Sequence, residues 1–366
     1  MKITRSSKIQ GLILAAALTI GLCFVSPASA QKRSYILDIN TKELTYLRIL
    51  GGDYWVADIN DAGQIVGSSY NTTAGHWHAF ITGPNGAGVT YLDMLNYSSA
   101  SGINDAGQVV GDNSGRAFIT GPNGVGITYL GTLGGAHSGA TDINNAGQVV
   151  GWSLTGAGDS HAFITGSNGV GMTDLGTFGG DSSNAWAIND AGQVVGEFYT
   201  TAGAAHAFIT GPNGVGMIDL GTLGEAVSHA SDINGAGRMV GWVWTAAGNS
   251  HAFITGPNGV GTTYLGTLGG AYSGAIDIND VGQVVGWADT AAGDSHAFIT
   301  GPNGVSMTDL NSLVELPVGF LRDASGINNA GQVIVTAVIP EPRSYALMLA
   351  GLILVGFIVR RKSMVT

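Results

Sequence analysis

The chain has 366 residues, a formal net charge of −11 and only 11% charged residues. No lysine occurs between Glu43 and Arg361, so this part of the chain lacks the clustered basic residues that a nucleic-acid-binding surface requires. The single cysteine, Cys23, lies in the apolar N-terminal stretch, which excludes a disulfide framework and a thiolate metal site from the rest of the chain.

The first 30 residues are typical of a secretory signal peptide. Basic residues precede an apolar run at residues 11–25, and the small residues Ala28 and Ala30 mark a cleavage site. An uncleaved anchor helix is the alternative interpretation. We therefore predict that residues 1–30 direct export and are then removed.

The chain between Thr45 and Ala337 consists of seven copies of one unit, clearest at residues 263–307. The second unit is shorter than the others and has a reduced loop between Gly111 and Ala117, so this loop lies outside the repeated framework. A leucine that follows a Thr-Tyr or similar pair marks the copies at spacings of 45, 38, 45, 45, 45 and 45 residues: Leu47, Leu92, Leu130, Leu175, Leu220, Leu265 and Leu310.

Each unit contains four short apolar segments separated by Asn, Asp, Gly and Pro residues that are typical of tight turns. No window shows the 3.6-residue periodicity of a helix. The segments are apolar on both faces, as strands are when their sheet is covered on both sides. In the clearest unit we predict these segments as strands at residues 263–268, 275–279, 283–287 and 296–300.

Four short strands in about 45 residues predict an all-β fold, a β-propeller of seven blades over residues 34–337. A parallel β-helix with two coils per unit is the alternative. The seventh unit stops before its fourth strand, and the strand-like run Ser34–Asn40 precedes the first unit. We predict that this run completes the seventh blade, three strands plus one, because closure removes exposed sheet edges.

The repeated motifs also resemble a known family. A His-Ala-Phe strand begins at residues 78, 161, 206, 251 and 296, and an Ile-Asn-x-x-Gly motif occurs in every unit. Together with Leu-Gly-Thr in four units, these motifs resemble the HAF-repeat family of bacterial extracellular proteins. The resemblance implies an extracellular repeat protein and brings no established activity. The second unit carries Arg116 in place of the histidine, which argues against an essential chemical role for that histidine.

The C-terminal segment, residues 338–366, resembles a PEP-CTERM sorting signal. It contains a Pro-Glu-Pro motif, an apolar run at residues 345–359 and a basic end. The apolar run predicts a transmembrane helix of about 22 Å, and the basic residues would remain cytoplasmic. The resemblance implies processing by an exosortase in a Gram-negative bacterium and delivery to the cell surface or matrix. A plain single-pass anchor is the alternative. The motif residues are Pro340, Glu341, Pro342, Arg360, Arg361 and Lys362.

The candidate metal ligands are aspartates that follow the Ile-Asn motif. They recur at one position of the repeat, so we expect them on one rim of the ring, where an acidic surface attracts divalent cations such as calcium. His76 and His78, two residues apart on one strand, are a second candidate pair. No cofactor is otherwise predicted. The rim candidates are Asp61, Asp105, Asp190 and Asp280.

No catalytic site is predicted. The Asp-Ser-His runs at 159–161 and 294–296 suggest a triad, but adjacent residues leading into a strand point to opposite faces and cannot converge. The tryptophans that follow the third strand either pack between blades or form sugar-stacking platforms: Trp152, Trp242 and Trp287.

We therefore predict a secreted, surface-sorted protein with a non-catalytic binding or structural role in the exopolysaccharide matrix. Its expected partners are an exosortase, then exopolysaccharide or a matrix protein, with transient membrane contact through residues 345–359. The alternative is a glycan-processing enzyme on a propeller scaffold. In that case the acidic residues outside the repeat are the candidates: Glu197, Glu225 and Glu315.

Overall fold

A computed structural model describes residues 31–49, 53–92, 97–340 and position 351. The described residues form 28 strands in six sheets. Five sheets have four strands, and the sixth has eight, in which two antiparallel groups of four are joined by the single parallel pair Ser160–Ser182. The strands therefore form seven four-stranded groups, which we call blades 1 to 7.

Blade 7 combines strands from both ends of the described chain, and blades 1 to 3 follow in chain order. The N-terminal strands of blade 7 are β1 (Gln31–Asp38) and β2 (Leu44–Tyr46). Blade 1 contains β3 (Tyr54–Ile59), β4 (Ile65–Asn71), β5 (His76–Thr82) and β6 (Val89–Tyr91). Blade 2 contains β7 (Ser98–Ile103), β8 (Val109–Asn113), β9 (Ala117–Thr120) and β10 (Ile127–Tyr129). Blade 3 contains β11 (Gly134–Ile143), β12 (Val149–Thr155), β13 (Ser160–Thr165) and β14 (Met172–Gly176).

Blades 4 to 6 repeat this arrangement. Blade 4 contains β15 (Ser182–Ile188), β16 (Val194–Tyr199), β17 (Ala205–Thr210) and β18 (Met217–Asp219). Blade 5 contains β19 (Val227–Ile233), β20 (Met239–Trp244), β21 (Ser250–Thr255) and β22 (Thr262–Gly266). Blade 6 contains β23 (Gly269–Ile278), β24 (Val284–Thr290), β25 (Ser295–Thr300) and β26 (Met307–Asp309). The remaining strands of blade 7 are β27 (Phe320–Ile327) and β28 (Gln332–Ile339).

Short 3₁₀ turns join the third and fourth strands of blades 1 to 6. The central Asn of each turn has a positive φ of 54–59°, a left-handed conformation that asparagine tolerates better than most residues. A further 3₁₀ turn precedes β27. Among the described residues these turns are Pro84–Gly86, Pro122–Gly124, Ser167–Gly169, Pro212–Gly214, Pro257–Gly259, Pro302–Gly304 and Leu310–Ser312.

The observed blade begins one strand later than the sequence unit. The Thr-Tyr-Leu strand pairs with the His-Ala-Phe strand that precedes it, as in Phe80–Tyr91, and forms the outer edge of that blade. The Ile-Asn strand is the first strand, at the other edge. The antiparallel pairing of consecutive strands is not that of a parallel β-helix, so that alternative is wrong. The all-β prediction is confirmed.

Blade 7 confirms that the two ends of the repeat region complete one another, but in a different proportion. Its strand order is β2-β1-β28-β27, two strands from each end rather than three plus one. The run Arg33–Leu37 takes the place of His-Ala-Phe-Ile-Thr, because Tyr35 pairs with Tyr46 as Phe80 pairs with Tyr91. The strand begins at Gln31, before the Ser34 predicted from the sequence.

Apolar side chains fill the spaces between blades. Val66, Ala79 and Ile81 of blade 1 pack against Ile103 and Phe118 of blade 2, and the same combination recurs around the ring. Both faces of each blade are buried in this way, which explains the weak apolar–polar alternation of the strands. The contact between blades 7 and 1 follows the same pattern, with these buried residues: Ile36, Leu47, Ile59, Ile65, Phe80 and Ile334.

The glycine before the tryptophan position allows the first two strands to approach closely. A Cβ on Gly67 would lie 2.2 Å from the backbone oxygen of Trp55 and 3.0 Å from the ring of Phe80. The bulge between Val56 and Asp58 causes this close approach. Glycine is therefore the residue that the bulge and the buried Phe permit.

Candidate functional site

The inner ends of the seven blades meet in a ring of asparagines. Each Asn comes from the Ile-Asn-x-x-Gly motif and is buried. Its side-chain Nδ2 donates to the backbone oxygen of the corresponding Asn in the next blade, at 2.9–3.4 Å, and the last donates back to the first. The ring therefore closes through seven hydrogen bonds: Asn60, Asn104, Asn144, Asn189, Asn234, Asn279 and Asn328.

The predicted rim aspartates lie next to this ring, around the mouth of a cavity of about 200 Å³. The backbone N–H of Asp61 donates to Asp105 Oδ1 at 3.0 Å, and that of Asn329 donates to Asp61 Oδ1 at 2.9 Å. Asn145 Nδ2 donates to Asp105 and Asp190, while Asn329 Nδ2 donates to Asp61 and Asp280. The sequence therefore predicted this rim correctly.

These hydrogen bonds run from blade to blade around the mouth. Each of the four carboxylates thus has an oxygen that already accepts from a neighbouring blade, and this arrangement does not gather them around one ion. Within the described ranges, no three His, Asp or Glu side chains form a metal-ligand group. Calcium binding at Asp61, Asp105, Asp190 and Asp280 stays a prediction.

Four further aspartates lie two residues before ring asparagines, and two of them, Asp58 and Asp277, line the same cavity. Asp58 accepts from the backbone N–H of Ile59 at 2.7 Å and from that of Ile103 in blade 2 at 2.9 Å. Burial raises the pKa of the Asp58 carboxyl to about 6. Burial, then the charges of neighbouring aspartates, raise the pKa of Asp142 and Asp277 well above the ordinary value. The fourth is Asp232, which accepts from Ile278 N–H at 3.0 Å.

The histidines of the His-Ala-Phe strands pair with the outer strand and form no triad. His161 Nδ1 lies 2.8 Å from Asp174, His206 Nδ1 lies 3.0 Å from Asp219, and His296 Nδ1 lies 2.7 Å from Asp309. Blades without that aspartate have a tyrosine there. In blade 2, Arg116 lies over the ring of Tyr129, 3.9 Å from its centroid. The position therefore holds a basic residue against an acidic or aromatic partner.

The rings of His76 and His78 lie together, 4.4 Å between centroids and tilted by 31°. Burial, and then the charge of His76, lower the pKa of His78. Two stacked imidazoles present their faces, not their nitrogen lone pairs, to one another. The stacking therefore gives no support to a shared metal ion.

The three predicted tryptophans are half-buried on the second strands. Trp152 and Trp287 lie over Gly139 and Gly274, whose Cβ positions would come within 2.7 and 2.8 Å of the indole Nε1. Trp242 differs, because the ring of His229 stacks on it with 4.9 Å between centroids. Packing thus accounts for two of the three positions.

The acidic residues outside the repeat have separate surroundings. Glu197 Oε2 lies 2.9 Å from His229 Nδ1. Burial, and then the charge of Glu225, raise the pKa of Tyr264, and Glu315 is exposed before β27. His229 was missed from the sequence. The sequence could have indicated it, because His229 replaces the glycine that faces tryptophan in blades 3 and 6.

Several solved structures are similar to this chain. The putative TolB from Agrobacterium tumefaciens matches over 86% of this chain and 100% of its own, with a TM-score of 0.52 and 10% identity. The β-propeller domain of the Trilobed protease from Pyrococcus furiosus matches over 80% of this chain and 91% of its own, with a TM-score of 0.52 and 10% identity. Oligogalacturonate lyase from Vibrio parahaemolyticus matches over 86% of this chain and 98% of its own, with a TM-score of 0.53 and 9% identity.

Identities this low show the fold alone, and the chain has a β-propeller fold. No protein-family model matches the chain. No curated protein matches it either. The resemblances to HAF repeats and to a PEP-CTERM signal stay predictions. Residues 1–30 and 341–366, except for position 351, lie outside the described residues, and within the described part no helix is long and apolar enough to span a membrane.

Proposed function

We propose that this seven-bladed propeller is an exported, non-catalytic binding protein of the extracellular polysaccharide layer. The observation that carries the proposal is that the polar groups at the cavity mouth hydrogen-bond to neighbouring blades. The ring asparagines and the rim aspartates hydrogen-bond between blades, so these side chains serve closure in a nearly symmetric arrangement. An active site usually breaks such symmetry, because its residues need different roles and environments.

The export part of the proposal rests on the two ends of the sequence. Residues 1–30 would direct secretion, and the Pro-Glu-Pro segment with the apolar run 345–359 would direct processing by an exosortase. The acidic composition, with no cysteine after residue 30, suits an extracellular protein that gains its stability from a large apolar core.

Co-sedimentation of the exported protein with exopolysaccharide from its own bacterium tests the proposal, in parallel buffers with calcium and with EDTA. We expect saturable binding in calcium. Loss of binding in EDTA would support a cation at the rim aspartates, and binding that survives EDTA would place the contact elsewhere. Absence of binding in both buffers would contradict the proposal.

A glycan-processing activity is the second candidate, favoured by one observation. Glu197 and His229 are a half-buried acid–imidazole pair outside the repeat pattern, and such pairs can serve acid–base chemistry. Oligosaccharides released into the supernatant of the same assay, and their absence with Glu197→Gln, would support this activity in place of simple binding.

A further inference from the structure

The residues that face one another across the first two strands differ between blades, and at the junction of blades 4 and 5 they form a cluster of polar and aromatic side chains. In blades 3 and 6, a tryptophan of the second strand lies flat over a glycine of the first strand. In blade 5 the first-strand residue is His229, whose ring is nearly parallel to that of Trp242, at 18° and 4.9 Å. An imidazole therefore stands where blades 3 and 6 have glycine.

His229 also contacts blade 4. Its Nδ1 lies 2.9 Å from Glu197 Oε2, and its ring lies 5.5 Å from that of Trp186. The side chains of His229 and Glu197 are 17% and 12% exposed, so both are shielded yet reachable from solvent. The indole Nε1 of Trp186 is buried without a hydrogen-bond partner. A buried donor of this kind is costly unless another group satisfies it.

The cluster extends to the surface at both ends. Tyr199 lies two residues after Glu197 on the same strand, and the charge of Glu197 is the main cause that raises the pKa of Tyr199. Trp244 packs edge-on against Trp242, with 6.4 Å between centroids. Tyr199 and Trp244 are each 40% exposed. We call the continuous row Tyr199–Glu197–His229–Trp242–Trp244 the aromatic row.

The aromatic row combines the groups that recognise a sugar. Exposed Trp and Tyr rings offer flat apolar faces to the C–H side of a pyranose, with a polar group at the ring edge. A carboxylate and an imidazole accept and donate hydrogen bonds to hydroxyl groups. Small-molecule sites commonly consist of apolar and aromatic walls with a few convergent polar groups.

The alternatives fit less well. Glu197 and His229 are two ionisable groups, fewer than a stable zinc site uses. The row has no lysine or arginine, so it lacks the charge that a phosphate or sulfate group needs. It is polar at its centre and aromatic at its ends, a pattern that matches an uncharged, hydroxyl-rich ring.

We propose that the aromatic row is a carbohydrate-binding subsite, which holds a neutral sugar residue of an extracellular polysaccharide between Tyr199 and Trp244. The sugar ring would stack on Trp244, and its hydroxyl groups would bond with the Glu197–His229 pair. This inference rests on the proposed function and assigns it a site. The site lies at the end of the blades opposite the rim aspartates, because β16 and β20 run away from the asparagine ring.

The test uses the full-length exported chain with exopolysaccharide from its own bacterium, by affinity gel electrophoresis and by tryptophan fluorescence titration with a partial hydrolysate. Trp244→Ala removes the exposed platform, and Glu197→Gln keeps the size of the side chain but removes its charge. The matched control is Trp55→Ala, which removes another exposed tryptophan, 54% exposed, from blade 1. Thermal melting of every variant checks that the fold is retained.

We expect Trp244→Ala and Glu197→Gln to weaken binding roughly tenfold each, whereas Trp55→Ala keeps the affinity of the unmodified chain. Equal binding by all four proteins would overturn the subsite and leave the proposed function standing. A chain that binds no polysaccharide would overturn both. If Trp55→Ala weakened binding as strongly as Trp244→Ala, the site would lie elsewhere on this face. If Trp244→Ala failed to fold, Glu197→Gln alone would decide.

Discussion

The position two residues before each ring asparagine shows how single residues join neighbouring blades. Asp58, Asp142 and Asp277 each accept a backbone N–H from their own strand and another from the next blade. In each case the next blade, which donates the second N–H, has a small residue at this position: Gly102, Ala187 and Gly326. One carboxylate therefore accepts hydrogen bonds from two strands. In these three pairs of blades only one of the two blades carries a carboxylate at this position.

These carboxyls predict a stability that falls with increasing pH. A group with a raised pKa in the folded state binds a proton more tightly there than in the unfolded chain. For Asp58, with a pKa of about 6 instead of 3.8, the contribution is full below 3.8 and is lost as the pH rises through 6. Its size is on the order of 3 kcal/mol. Asp142 and Asp277 act in the same direction.

We therefore expect a higher free energy of unfolding at pH 5 than at pH 8, measured by denaturant titration. Asp58→Asn should reduce this difference, because its amide does not titrate. Asp294→Asn, in an exposed loop, is the control and should leave the difference unchanged. A free energy of unfolding that increases between pH 5 and pH 8 would contradict the role of these buried carboxyls.

At the scale of the strand, the basic residue of the third strand anchors the short outer strand. Histidine faces aspartate in blades 3, 4 and 6, and histidine or arginine faces tyrosine in the others. Outer strands of three to five residues make few backbone hydrogen bonds, so a side-chain contact helps to hold them. This pairing explains why Arg116 can replace histidine.

We expect His206→Ala to lower the free energy of unfolding by about 0.2–1 kcal/mol, the range of exposed side-chain pairs of this kind. His206→Arg should restore it, because arginine can pair with Asp219 as histidine does. Neither change should affect polysaccharide binding. A loss of binding with a normal unfolding curve would instead give this histidine a functional role.

At the scale of the whole molecule, blade 7 closes the ring with strands from both ends of the repeat region. The backbone N–H of Ser34 donates to the hydroxyl of Tyr54 in blade 1 at 2.8 Å. In blades 2 to 6 the corresponding bond is made by a buried serine, such as Ser98, which accepts from Ala79 N–H at 3.0 Å. Tyrosine thus replaces serine at the one junction where the N-terminal strand is the neighbour.

Deletion of Ser34–Asn40 should lower the melting temperature by on the order of 10 °C or more. The deletion removes the buried side chains of Ile36 and Leu37 and exposes an edge of β28, and each buried aliphatic side chain contributes about 1.5–3 kcal/mol. Removal of residues 291–294 from an exposed loop is the control, since blade 2 has a shorter loop at this position. An unchanged melting temperature would contradict closure through β1.

The sequence by itself determined the fold class, the seven units, the four strands of each unit and the mutual completion of the two ends. These features are local patterns that recur, and each copy confirms the others. The common rim of Asp61, Asp105, Asp190 and Asp280 follows from the same logic, because residues at one position of the repeat occupy one position of the ring.

Only the tertiary structure decided where a blade begins. In a periodic sequence the boundary between units can be placed before any strand. The Thr-Tyr-Leu segment could therefore be the first strand of one unit or the last strand of the previous one. The hydrogen bonds of Asn60 to Asn104, and of Glu197 to His229, likewise join different blades, 44 and 32 residues apart. Such contacts depend on how one blade packs on the next, which local periodicity does not contain.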